Sequence, residues 1–196
     1  MLKTSFKGID CEEAYQIMKD VTLRNVSQDD PTRYSQLHGE IVGDAVFVVP
    51  AIMTAIAHTS LGLPTFLFQM TQQPDLNHNK DNGPTVMKKP SFVKCDHADD
   101  LYFVHGVPFV KGDLEHEADF TDAERELARN VMKYFTNFAR TGDPNKGTEV
   151  SVEWPQYSLA EQKHMILQTP LLTGEKLSQD RVFMYTQQLP KLGKSS

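Results

Sequence analysis

The chain has 196 residues, 39% of them apolar and 11 of them phenylalanine, enough for a sizeable core and for a single domain by length. Its net charge of −6 argues against nucleic acid as a partner, which would call for a basic patch or stripe. The longest apolar run, 45–57, is interrupted by Pro50 and Thr54 and is short for a bilayer crossing, so a buried core helix is expected and no transmembrane segment.

No charged and then apolar leader pattern opens the chain at 1–5. Asp10 with Glu13 forms a capping-box pattern, and Ala14, Ile17, Met18 and Val21 follow at helical spacing, which predicts a first helix. Behind it lies Asn25-Val26-Ser27, an N-glycosylation sequon; placed between a helix and a turn, Asn25 is expected to be exposed and weakly favours a secretory route. Asp30-Pro31, an N-cap followed by Pro at the first helical position, predicts a second helix with Tyr34, Leu37 and Ile41 buried. A third helical stretch runs from Asp44 to Ser60, where Pro50 is either a kink or the true first turn, and Gly62 and Pro64 end it.

Thr65 to Met70 reads as a short buried strand. Residues 71–90 are polar and rich in Asn, Asp and Pro, hence a long loop. Within it Asp75-Leu76-Asn77-His78-Asn79 starts like a calcium loop, but Lys80 stands at the turn glycine and Val86 at the final Glu, so no metal is expected there. Thr121 with Glu124 is a second capping box, opening a helix with Leu127, Val131, Tyr134, Phe135 and Phe138 on one face and Gly142 just past its end. Trp154-Pro155-Gln156-Tyr157 forms an aromatic corner, Met165 to Gln168 a short strand, and a last helix is expected over 173–188. About five helices with one or two core strands predict a mostly helical portion of a larger α/β domain, because a doubly wound sheet needs several parallel strands.

The chemistry concentrates at Cys95-Asp96-His97-Ala98-Asp99-Asp100, which sets a histidine among acids ahead of an aromatic run that Gly106 and Pro108 close. Most histidines are surface or core residues. His97 differs in its place, on a loop that follows a buried strand and a long connection, where α/β folds present catalytic groups. An imidazole there can take a proton from a serine and return it to a leaving alkoxide. Cys95 beside His97 lacks the further Cys or His of a metal site, and the two cysteines, Cys11 and Cys95, are expected to be thiols. The three acids are expected to orient the loop and cap the turn after it.

Cys95 to Phe109 resembles the histidine loop of type-B carboxylesterases, the cholinesterase-like α/β-hydrolases. Gly43-Asp44-Ala45-Val46-Phe47-Val48-Val49-Pro50 is similar to that family's Asp…Phe…Pro helix, and Pro64 to Gln69 to its Pro-Thr-aromatic strand. Asn137 to Asn145 with Trp154 to Tyr157 resembles its C-terminal signature, so that roughly 31–190 is covered in the family's order, most like the vertebrate liver and intestinal carboxylesterases. Ala98 departs from the commoner Gly, Asp100 from the usual Glu, and His105 from the Phe of the aromatic run, the last read as a packing variant. Ala98 with Asp99-Asp100 is similar to the bile-salt-activated lipase branch.

The resemblance implies an α/β-hydrolase fold of which 1–196 is a C-terminal fragment, serine-based ester hydrolysis with His97 as the catalytic base, a small-molecule or lipid ester as substrate, and no cofactor. It also implies what the chain lacks: a Gly-x-Ser-x-Gly elbow, the acid and the oxyanion-hole glycines. His58-Thr59-Ser60-Leu61-Gly62 lacks the first Gly and lies between a helix and a strand, the reverse of an elbow. The missing N-terminal portion of the fold is the implied partner, and the chain alone is expected to be inactive. A non-catalytic cholinesterase-like adhesion or binding protein, or a truncated gene product, is the alternative. A secreted or endoplasmic-reticulum location follows by resemblance, with no retention tetrapeptide at Ser196.

Overall fold

The structure is a computed structural model that describes residues 10–74, 89–90, 92–93, 95–110 and 120–193; the calcium-like loop at 75–86 lies outside them. The chain divides into two compact units, Met1–Leu61 with Lys176–Ser196, and Gly62–Glu175.

The first unit is helical. Helix α1 (Cys11–Thr22) starts where the sequence places it, the Asp10 carboxylate accepting from the Glu12 and Glu13 amides. Helix α2 (Arg33–Gly43) starts later than expected: the Asp30 carboxylate accepts from the Thr32 amide and hydroxyl in a local Asx turn, and the helix begins only after it. Of its predicted buried residues Leu37 is 3% exposed, whereas Tyr34 is 64% exposed. A π-helical turn (Asp44–Val48) joins α2 to α3 (Val49–Ser60), with Pro50 in the first turn of α3. Of the two sequence options for Pro50 the first-turn placement is the one seen, and the wider turn ahead of it takes up the missing N–H and the ring's steric demand without ending the helical run.

The continuous helix Arg33–Ser60 is long and apolar enough to cross a membrane by length and composition. It buries Ile52 and Ala55 but leaves Val42, Val46, Phe47 and Met53 exposed, so it is a half-covered helix rather than the fully buried one expected. The unit closes with α6 (Gln179–Phe183), a second π-turn (Met184–Gln188) and α7 (Leu189–Leu192), where Pro190 again follows the π-turn. The last helical run therefore starts at Gln179, well after the expected 173.

The second unit holds a three-stranded sheet in the order β1 (Phe68–Met70), β2 (Lys163–Leu167), β3 (Leu172–Glu175). β1 and β2 are parallel, Phe68 opposite Met165; β2 and β3 are antiparallel, Met165 opposite Thr173. β1 is shorter than the expected 65–70. β3 occupies residues expected to begin the last helix, but its side chains are mostly exposed, so β1 and β2 remain the two core strands. The Met165 amide donates to the Leu67 carbonyl and the Thr71 amide to the Leu167 carbonyl. By parallel-ladder alternation the backbone groups of Phe68 and Met70 face the other edge, where no strand pairs among the described residues.

Helix α5 (Asp122–Thr141) packs over this sheet. Its capping box is complete: the Thr121 hydroxyl accepts from the Glu124 amide while the Glu124 carboxylate accepts from the Thr121 amide, and Gly142 ends it at φ 75°. Leu127, Ala128, Val131 and Tyr134 join Phe103, Trp154, Met165 and Leu167 in one core. Edge-on ring contacts of Trp154 with Phe68 and Tyr134, and a bond from its indole N–H to the Leu67 carbonyl, tie the aromatic corner to β1.

Candidate active site

The histidine loop is held from both ends. Downstream, the short helix α4 (Asp100–Val104) inserts Phe103 fully into the core against α5. Gly106 then turns the chain at φ 66°, pressed so close to Met132 that a Cβ would lie 2.7 Å from its sulfur. Pro108 is buried, its carbonyl accepting from the Arg125 guanidinium, and the Arg129 guanidinium lies 4.9 Å from the Phe109 ring centroid. His105 is exposed at the end of α4, so it fills no place in the core; Phe103 does that.

Upstream, residues 96–99 form a turn. The Asp99 amide donates to the Asp96 carbonyl, and Ala98 lies at φ 74°, the positive angle that the third position of a type II turn requires. Glycine fits that angle without steric strain; Ala98 occupies it with a Cβ. The Asp99 carboxylate, 2% exposed, closes the same turn from the side-chain direction, accepting from the Asp96 amide at 2.7 Å and from Lys89 Nζ at 3.0 Å. Asp96 in turn accepts from the His97 amide at 2.7 Å. His97 thus occupies the second position of a doubly closed turn, its side chain exposed.

Cys95 is half-buried, and burial together with the Asp99 charge pushes its thiol up to about 12, which removes it as a nucleophile near neutral pH. Cys11 is an exposed thiol. The Ser60 hydroxyl donates to the Ile56 carbonyl of its own helix, and a turn and then β1 follow, the reverse of a strand-to-helix elbow. No group of three His, Cys, Asp or Glu that could hold a metal occurs among the described residues.

The sequence did not single out His164. It is 3% exposed on β2, burial holds its imidazole below the ordinary histidine value, and its ring lies where a Cβ on Gly174 would come within 2.8 Å. It is a packed, neutral side chain. A cavity of about 150 Å³ lies among Phe66, Phe68, Phe135, Phe138 and Trp154, and a larger one of about 390 Å³ beside Thr169 and Pro170. His97 lines neither.

The sequence model of the carboxylesterase family matches residues 3–184. The chain belongs to the carboxylesterase family. That membership carries the α/β-hydrolase fold, and the small sheet under α5 fits part of such a domain. The chain is 38% identical over 151 residues to human Carboxylesterase 5A, covering 77% of this chain and 24% of that protein. It is 35% identical over 133 residues to the liver carboxylesterase of Sus scrofa, covering 68% of this chain and 21% of that one. The Fatty acyl-CoA hydrolase precursor, medium chain, of Anas platyrhynchos is 34% identical over 146 residues, covering 74% of this chain and 23% of its own. This carboxylesterase-family chain spans about a quarter of the length of the curated relatives it matches.

Proposed function

We propose that residues 1–196 are the C-terminal portion of a serine carboxylic-ester hydrolase, with His97 as the catalytic base. The observation that carries this is an exposed histidine on a doubly closed turn in a chain of this family. In the complete domain His97 takes the serine proton during acylation, gives it to the departing alcohol, and activates water for deacylation. Serine, acid and oxyanion donors come from the missing N-terminal portion of the same fold. The open edge of β1 and the exposed apolar side of Arg33–Ser60 are surfaces that such a portion covers. Asp44, 1% exposed within that helix beside Arg181, favours a place inside a protein over one among lipids. Asn25, exposed in the turn after α1, is an N-glycosylation acceptor on a secretory route.

The test is a chimera in which this chain replaces the matching quarter of human Carboxylesterase 5A, assayed on p-nitrophenyl esters. Hydrolysis by the chimera, its loss by roughly 10³-fold or more in His97→Ala, and no turnover by the chain alone are expected. A folded chimera whose rate His97→Ala leaves intact overturns the assignment, and a folded but inert one shows that this chain does not supply a working base.

A further inference from the structure

Asp99 and Lys89 form an ion pair whose side chains are 2% and 16% exposed, ten residues apart in sequence, at the base of the turn that presents His97. Burying two charges is unfavourable unless each is paired and the carboxylate's remaining capacity is used. Here it is used on the turn itself, since the oxygen that meets Lys89 Nζ also accepts the Asp96 amide. The turn needs this brace, because Ala98 holds φ 74° with a Cβ and relaxing that angle would swing His97.

We propose that the Lys89–Asp99 pair is a positioning device for His97, acting through the Asp96 amide rather than on substrate. Lys89 anchors the Asp99 carboxylate so that it stays aimed at the Asp96 N–H, and the two closures together set where the imidazole projects. Asp100, next in sequence, is part-exposed in the first turn of α4 and has no such link to the turn backbone in the contacts described. This role rests on His97 being the catalytic base. Its test reads the turn directly, so failure of the brace and failure of the catalytic assignment are separate results.

The experiment uses the full chain with Lys89→Met, Asp99→Asn and Lys89→Arg, followed by residue-resolved amide exchange and by ¹³C-histidine spectra, with the His97 signal assigned through His97→Gln. Lys89→Met and Asp99→Asn should each speed exchange at the Asp96 amide by roughly tenfold and displace the His97 imidazole signal. Protection along α5 should stay as it was, and Lys89→Arg, which keeps the charge, should restore both readouts. Unchanged exchange and spectra in both neutralising variants overturn the proposal. So does a loss of protection spread evenly through α5, which would make the pair a general stabiliser of the unit.

Discussion

Arg181 Nε lies 3.1 Å from Oδ2 of Asp44, a carboxylate 1% exposed whose two oxygens nonetheless find no well-aligned hydrogen-bond donor. Burial outweighs the attraction of Arg181 and, with Glu40 nearby, pushes the Asp44 carboxyl from 3.8 up to about 6. Arg181 also pairs with Glu40, so it keeps a counter-charge whatever Asp44 does.

A pH dependence follows from the sign of that shift. Between pH 3.8 and about 6 the folded state holds the Asp44 proton and the unfolded state does not, so stability from this group falls as pH rises through that window. Asp44→Asn removes the titration. Its stability relative to the parent should rise by about 2–3 kcal/mol on going from pH 3.5 to pH 7, read from urea midpoints at both values. A pH-independent difference would show that Arg181 fully compensates the charge.

Ala98 holds a backbone angle that glycine tolerates more easily. Ala98→Gly should stabilise the chain by about 1 kcal/mol, offset in part by the entropy that glycine adds to the unfolded state, and Ala98→Val should cost about 1–2 kcal/mol. Thermal midpoints of the two variants moving in opposite directions are the expected outcome.

Asn137 is 1% exposed and serves three backbone groups of the loop after α5: its amide donates to the Pro144 and Thr148 carbonyls and its carbonyl accepts from the Thr148 amide. Gly147 passes so near that a Cβ there would lie 2.6 Å from Asn137 Oδ1. Asn137→Ala strands those groups and should cost about 3 kcal/mol; Asn137→Asp should cost nearly as much, since a carboxylate cannot donate to the two carbonyls. Chemical denaturation at pH 7 reads both.

Cys95 and Cys11 should separate cleanly with an alkylating reagent. At pH 8 only about one Cys95 thiol in 10⁴ is ionised if its titration lies at about 12, so iodoacetamide followed by mass spectrometry should label Cys11 well before Cys95. Equal rates would mean that the loop at 95–99 opens readily.

Several helix ends were legible because a local cap closes the backbone there. Asp10, Thr121 with Glu124, and Gly142 each act within a few residues, and the structure shows α1 and α5 bounded by them. Asp30 shows how that logic fails, because the same carboxylate serves an Asx turn equally well and the helix waits for Arg33. β3 was missed for a different reason. Leu172 to Glu175 has no alternation of its own and exists through its ladder with β2, a pairing that residues outside the segment decide.

The residues and their order alone determined the family, the candidate base at His97, and the want of a serine elbow, since each is a matter of local chemistry and spacing. Tertiary structure decided what surrounds that base. It put Phe103 in the core and left His105 in water, joined Lys89 to Asp99 beneath the turn, brought Arg181 to Asp44 across 137 residues of sequence, and left one edge of β1 without a strand among the described residues. Burial and pairing between distant residues depend on how the elements pack, and no spacing within a segment encodes them.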